Sequence, residues 1–548
     1  MIVDARSLPQ NTIVETDVCI IGAGIAGIAL ARELKGTEFR VCLLESGGIE
    51  PDKTSQAFLW GENVGHPYYP LDIARSCGFG GTSNRWTADM GDNGIGVRLR
   101  PLDEIDFEER DWVPFSGWPF TKAHLDPFYA RAQAMCKTGS FDYNVSHWEQ
   151  SDKQSRLRFK NDRVITAIFQ FASRNVFIKD YRDEITQADN ITTYVYANVT
   201  EIETNKTAGA VSRVHVASSA NQRFIVAAKV FILAGGAIET PRLLLLSNKT
   251  MRQGLGNQND LVGRFFMEHP HIWSGKILSV SPKIISTTDL YRVHKVNGVP
   301  IMGKLAIAEE VLRQEKMLNY CVSIHPYESH RRAISPSWRV VSWPLISSQA
   351  RKNVPDRFAN QEKIANAENR IDILQGGRRK IKRTFGRILN RIGIPHERVV
   401  FLLNHMTEQA PNPESRVTLA DELDSLGRNR VRLNWQLGPI DIRSIIRAQE
   451  IIDEELRNAG LGRLEIELRD GRIPSNLEGG WHHMGTTRMH LDPKKGVVDS
   501  NCRVHGIMNL FIAGPSVFPT SGYANPVLTI MALSVRLADY IKKSMNNQ

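Results

Sequence analysis

The sequence predicts an α/β chain that begins with a parallel βαβ unit, and three observations predict it. Residues 16–21, Thr16-Asp17-Val18-Cys19-Ile20-Ile21, read as a buried strand. Gly22-Ala23-Gly24-Ile25-Ala26-Gly27 follows at once and leads into a helical run at 28–34. A second strand at 40–44 ends on Glu45. In such a unit the first glycine makes the turn, the second lets a pyrophosphate approach the backbone, the third lets helix and strand pack, and the acid meets ribose hydroxyls. A lone glycine pattern would say little, but strand, helix and acid all stand in place, which implies a dinucleotide. Glu45 suits either NAD or the adenosine half of FAD.

Further along, Arg75-Ser76-Cys77-Gly78-Phe79-Gly80-Gly81-Thr82-Ser83-Asn84-Arg85-Trp86-Thr87 forms a second backbone-rich loop, too distant to belong to the first unit. A late apolar strand, 230–238, passes through Ala234-Gly235 into Glu239-Thr240-Pro241-Arg242-Leu243-Leu244. An NAD domain has no need of distant loops that wrap the far end of its cofactor, whereas a flavin, with a bulky ring beyond the pyrophosphate, does.

The last seventy residues carry the chemistry. Gly480-Trp481-His482-His483-Met484-Gly485 and Gly522-Tyr523-Ala524-Asn525-Pro526-Val527 each set polar residues beside glycines, and an apolar strand at 509–515, ending on Gly514, lies between them. Apolar residues at helical spacing over 528–541 place the 524–526 turn at a helix N-terminus, whose free N–H groups favour electron-rich groups. A histidine from one loop and an asparagine from another is the layout of an active site.

Composition excludes other classes. A chain of 548 residues with 42% hydrophobic content can bury a large core in two or more domains. Cys19, Cys42, Cys77, Cys136, Cys321 and Cys502 show no paired spacing, so no zinc, iron–sulfur or haem motif is written, and a reducing compartment is expected. Residues 1–15 lack a basic start followed by an apolar block, and no apolar run suffices to span a membrane; the expectation is a cytoplasmic protein. The net charge of +10 is largely local: residues 349–398 hold thirteen Lys or Arg against five Asp or Glu. Without interleaved aromatics or a recognition motif this does not read as nucleic-acid binding. Within it, 377–394 sets Ile381, Phe385, Ile388, Leu389 and Ile392 on one helical face. Basic residues crowd elsewhere on that helix, which reads as a packed surface helix or as a docking face for an anionic membrane or acidic partner.

The N-terminal fingerprint with Leu43-Leu44-Glu45-Ser46-Gly47-Gly48, the Gly80-Gly81-Thr82-Ser83 loop, the 237–244 segment and the His482 and Asn525 motifs together resemble the glucose-methanol-choline flavoprotein oxidoreductase family. The 83–87 loop, Gly263-Arg264-Phe265-Phe266-Met267-Glu268-His269-Pro270 and the Ala524-Asn525-Pro526 turn resemble its pyranose oxidase branch. The resemblance implies a Rossmann-like FAD-binding domain in three parts, 1–100, 190–269 and 470–548. An α+β substrate domain on a mainly antiparallel sheet would comprise 101–189 and 270–469, with the basic insertion at about 349–398, and a strand at 430–436.

The resemblance also implies the site. His482 is the base that takes a hydroxyl proton while hydride passes to flavin N5, and Asn525 donates to the substrate oxygen. FAD would lie against Gly22, Gly24, Ile25, Ala26, Gly27, Glu45, Ser46, Gly80, Gly81, Thr82, Ser83, Asn84, Trp86, Thr87, Val199, Ala234, Gly235, Gly514, Pro526 and Val527, with no metal. Arg85 stands where pyranose oxidases carry a flavin-linking histidine, so FAD is expected to be non-covalent. Ser247-Asn248-Lys249-Thr250 departs from the family's glycine-rich ending and puts only that loop's geometry in question. His483 reads as structural or substrate-facing, and His269 and His271, beside a proline, read as loop packing or substrate contacts. The expected reaction is oxidation of a CH–OH group of a sugar, glycoside or cyclitol, with oxygen, a quinone or a protein as acceptor. A family lyase with non-redox FAD, or an electron-relay subunit, is the alternative; oligomeric state stays open.

Overall fold

The computed structural model describes residues 1–90, 94–150, 154–219, 221–279, 284, 288–327, 400–469 and 471–547. The basic segment 349–398, including the helix expected at 377–394, lies outside the described residues.

Val18, Cys19, Ile20 and Leu43 are fully buried, because a parallel sheet is covered on both faces and its strands read as unbroken apolar runs. The strand of the fingerprint runs Ile13–Ile21 and the next Val41–Leu44, and they pair in parallel. From edge to edge the sheet continues through Ile2–Asp4, Ile191–Val195, Val41–Leu44, Ile13–Ile21 and Arg223–Leu233, all parallel, then Val211–Ala217 and Asn198–Thr204, both antiparallel. Leu510–Ile512 joins in parallel beside 231–233. Helices Ile25–Leu34 and Val527–Asn546 pack on this unit and on each other. Both start earlier than the apolar spacing predicts, at 25 and 527, and their first residues, Ile25 and Val527, line a cavity.

The second sheet is antiparallel in all its pairings. It runs Gly462–Glu465, His271–Ser279, Val400–Thr407, Tyr320–Tyr327, Val299–Ile307, Val164–Ser173, Ile95–Leu99 and Ala88–Asp89. Side chains alternate across it. Ile168, Leu305, Val322 and Leu403 join Ile445 and Ile452 of helix Pro439–Asn458 in one core. Ala167, Phe169, Ala306, Cys321 and Met406 face the other way, against Tyr523.

The chain enters this sheet at Ala88, before the boundary expected at residue 100, and helix Lys122–Met135 packs on Val527–Asn546 of the parallel unit. Short strands and amphipathic helices do not reveal from sequence which core they join. A third sheet joins Gly61–Asn63 to Asn429–Asn434 and Arg416–Leu423, so the strand expected at 430–436 ends two residues sooner. All six cysteines are buried and unpaired. Among the described residues no helix is long and apolar enough to cross a membrane.

Candidate active site

One cavity of about 370 Å³ joins the two units. Its parallel-sheet wall is the turn at Gly22, Gly24, Ile25 and Ala26, with Glu45 and Ser46, then Ala234, Gly235, Gly514 and the helix start at Pro526 and Val527. The loop residues Gly81, Thr82, Ser83, Trp86 and Thr87 close one side, and Val199 lies at one end. His482 and Asn525 line the same space. Three of the residues expected to touch FAD do not line it: Gly27, Gly80 and Asn84. Each shapes a residue that does. A Cβ at Gly27 would sit 1.9 Å from the Gly22 carbonyl oxygen, so only glycine lets the helix pack onto the turn. Asn84 Nδ2 donates to the Phe79 and Gly81 carbonyls at 2.9 and 3.0 Å, and Gly80, at φ +93°, precedes the short helix Gly81–Arg85.

Glu45 ties this wall together. Its carboxylate accepts from the backbone N–H of Ala23 and Gly47 at 2.9 Å and of Gly78 at 3.0 Å. Burial raises its pKa above the ordinary value, against those three donors. At the Val199 end, Arg428 donates to the Val199 carbonyl at 3.1 Å and pairs with Asp424 at 2.8 Å. Asp424 also pairs with Arg242 at 2.9 Å, which reaches Glu239 at 3.1 Å. Burial would raise Glu239, but Arg242 and Arg75 outweigh it and hold the carboxyl at about 2. Helix Gly236–Leu246, read from sequence as a cofactor-wrapping segment, is thus anchored by buried ion pairs.

Several buried polar atoms on the cavity wall have no partner: Ser76 Oγ, Arg85 Nε, Asn198 Oδ1, Thr240 Oγ1 and Asn525 Oδ1. Such atoms cost free energy unless a ligand satisfies them. A long polar ligand laid from Val199 past the Gly22 turn to Asn525 would do so, and the residues present fit a flavin dinucleotide.

Around the catalytic candidates the hydrogen bonds run in one direction. His269 Nε2 lies 3.3 Å from the Ser521 carbonyl, which only accepts, so that nitrogen carries a proton. Burial holds His269 at about 4, so its ring is neutral at pH 7 and Nδ1 accepts. His482 Nδ1, 2.9 Å away, must then donate. Burial first, then the neighbouring His269, His271 and His483, push His482 well below 6.5, so its Nε2 is unprotonated and accepts. Asn525 Nδ2 donates to that Nε2 at 3.0 Å. The sequence-predicted pair is therefore in contact, with the unprotonated nitrogen of His482 facing Asn525.

Glu268 holds the loop in place. Its carboxylate accepts from the backbone N–H of Gly480 at 2.9 Å, of His482 at 3.0 and 3.1 Å, of His269 at 3.0 Å, and from the Tyr68 hydroxyl. Burial raises this carboxyl to about 7. A Cβ at Gly480 would meet His482 Nδ1 at 2.6 Å, so glycine is what lets the loop turn so close to the ring. His483 points to Tyr68, its Nε2 2.8 Å from the hydroxyl, and its ring lies against Phe266. That makes it a buttress whose ring turns from the His269–His482 contact. His271 lines the cavity with a buried Nε2 that has no partner. Sequence alone does not mark Glu268 or Tyr68 as site residues, and it reads His269 as loop packing or a substrate contact. A glutamate before His-Pro at 268–270, two hundred residues from His482, carries no local signal of its role.

Models described as GMC oxidoreductase match residues 178–271 and 411–534. The chain is 26% identical to the 2-methyl-1,2-propanediol dehydrogenase of Mycolicibacterium austroafricanum over 97% of this chain and 96% of that one. It is 27% identical to the fructose dehydrogenase large subunit of Gluconobacter japonicus over 58% and 47% of the two chains. Over 23% and 24% it is 34% identical to a C-glycoside 3-oxidase of Microbacterium trichothecenolyticum. A solved formate oxidase of Aspergillus oryzae shares the fold across 98% of this chain and all of its own, with a TM-score of 0.53 at 15% identity. The parallel unit, the antiparallel sheet and these matches together assign the chain to the GMC oxidoreductase family, enzymes with a Rossmann-like FAD domain and a substrate domain.

Proposed function

We propose that the protein oxidises a CH–OH group of a sugar, glycoside or cyclitol to a carbonyl, with His482 as base. The observation that carries this reading is the one-way donor chain Asn525, His482, His269, Ser521, which leaves the His482 Nε2 lone pair at the wall of the shared cavity.

His482 Nε2 takes the hydroxyl proton, and the new imidazolium keeps its Nδ1 proton on His269. Asn525 Nδ2 then turns its donor toward the substrate oxygen as negative charge gathers there. Asparagine exchanges no protons, so the site has one base facing the substrate. FAD, when bound, supplies the electron acceptor that takes the hydride from the same carbon. Arg85 offers no ring nitrogen for a covalent link, so FAD is held non-covalently, by the residues that line the cavity. The antiparallel sheet covers the substrate, and the protein works in the cytoplasm with oxygen, a quinone or a protein as acceptor.

Anaerobic mixing of the purified yellow protein with a panel of sugars, cyclitols and diols tests this. Bleaching of the flavin absorbance by a polyol is the expected result. Its loss by ~10²–10⁴-fold in rate is expected for His482→Ala with flavin content unchanged. Failure of every polyol to bleach the flavin would favour a non-redox role, and full activity of His482→Ala would favour electron relay. Acid denaturation followed by filtration should release all the flavin, which a covalent link would retain.

A further inference from the structure

Two cations above the site have no place in that chemistry. Strand Ile95–Leu99 carries Arg98 opposite Phe171, and strand Val299–Ile307 carries Lys304 opposite Ala167. Residues directly opposite in an antiparallel pair point the same way, and residues two apart share a face. Positions 167, 169 and 171 therefore put both cations on one face of the sheet. Ala306 stands opposite Cys321, Cys321 opposite Met406, and Met406 opposite His271, which brings His271 to the same face. Tyr523, two residues from Asn525, packs on this face with Phe169 and Met406. The face thus looks toward the His482–Asn525 pair, and Arg98, His271 and His482 line one cavity.

Neither cation has a carboxylate partner among the described residues. Lys304 is 3% exposed, with Nζ 3.7 Å from Met406 Sδ and 4.7 Å from the centre of the Phe169 ring. Arg98 Nε is buried and unpartnered, and its guanidinium carbon lies 5.8 Å from the Phe171 ring centre. Two other buried arginines have carboxylate partners, Arg110 with Glu408 and Arg242 with Asp424, while Arg488 donates to the Phe115 carbonyl but, like Arg98, keeps a buried Nε without a partner. Burial lowers Lys304 to about 8, so it still carries charge at neutral pH, and an arginine does not give up its proton. Two like charges on one apolar face, without counter-ion, are costly to keep. An anion that arrives with the substrate removes that cost.

We propose that the substrate is an anionic alcohol, a sugar acid, hydroxy acid or sugar phosphate, whose carboxylate or phosphate is held by Arg98 at the cavity wall, with the buried charge of Lys304 behind it, while its hydroxyl lies at His482. This rests on the alcohol-oxidising reading of the site. The unpartnered His271 Nε2 is placed to meet a further hydroxyl of the same molecule.

The test uses the FAD-loaded protein and matched sets of a neutral sugar, its uronate and its phosphate ester, mixed anaerobically while flavin bleaching is followed. The anionic members should show kcat/KM at least tenfold above the neutral one, and which of them leads distinguishes carboxylate from phosphate. In Lys304→Met and Arg98→Leu that ratio should shrink toward one. If the cations served the flavin instead, every substrate would slow alike and the ratio would persist, which overturns the proposal. Equal or faster bleaching by the neutral sugar overturns it too, while leaving alcohol oxidation standing. If no polyol of any charge bleaches the flavin, the oxidation reading falls and this proposal with it. A readout without turnover completes the test: the uronate or phosphate should raise the Tm of the holoprotein but not that of Lys304→Met. An equal rise in both would count against the proposal.

Discussion

His269 and His482 meet through their Nδ1 atoms at 2.9 Å, so that one ring nitrogen must give and the other must accept. The Ser521 carbonyl beyond His269 settles which, and the unprotonated nitrogen of His482, the base of the proposed reaction, follows from it. His269 is thus a positioning residue that acts through another.

Replacing His269 by phenylalanine removes the acceptor for the His482 Nδ1 proton and frees the catalytic ring to change tautomer. The rate of flavin reduction should fall, by less than the ~10²–10⁴-fold worth of the base itself. His269→Gln, whose side chain can accept, should recover part of the loss. A merely structural role would give unchanged rates in whatever fraction folds.

The pH profile gives a second check. His482 is held well below 6.5, first by burial and then by its histidine neighbours. A base must be neutral to work, and a lowered pKa keeps it neutral further into acid. The kcat/KM for flavin reduction should therefore stay level from neutrality through pH 6.5, and decline only in more acid solution. An acid limb centred at 6.5 would mean that the ring is far wetter than its surroundings indicate.

Glu268 titrates the other way. Its carboxyl is raised from an ordinary 4.5 to about 7, so between those values the folded protein binds a proton that the unfolded chain does not. The associated stability is fully present below pH 4.5 and is lost as pH rises through about 7. Thermal unfolding of the wild type should show this slope, and Glu268→Gln should flatten it. Since the carboxylate also accepts from Gly480, His482 and His269, the variant should lose activity even where it is stable.

Gly27→Ala places a methyl 1.9 Å from the Gly22 carbonyl. The obstruction is backbone, not a movable side chain, so helix Ile25–Leu34 must shift from the sheet. A loss of about 1–3 kcal/mol in stability is expected, with weaker retention of flavin, read from melting curves and the ratio of flavin to protein absorbance.

How much of this was readable in the sequence depends on range. The turn from Ile21 to Gly27 and the acid at Glu45 are encoded within thirty residues, and Gly22, Gly24 and Glu45 line one cavity, the Glu45 carboxylate accepting from backbone N–H groups. His482 and Asn525 came from family motifs, and they touch. Gly27, Gly80 and Asn84, expected at the cofactor, do not line the cavity but shape residues that do, because a motif records that a residue is needed and not what it faces. Glu268, His269 and Tyr68 depend on contacts spanning about two hundred residues or more, which no local pattern announces. Arg98 and Lys304 become a pair only through strand register, which the alternation of Phe169 and Phe171 encodes but cannot by itself connect to Val299–Ile307.

The strand Leu510–Ile512 seals the 231–233 end of the flank of Arg223–Leu233 nearly three hundred residues after that flank is made. During synthesis the flank at 231–233 thus waits with its hydrogen-bonding groups unmet until residues 510–512 have emerged. The reaction chamber, whose wall includes Gly514 and Asn525, cannot close before then, and a nascent chain halted short of 510 would leave that flank bare and the chamber incomplete.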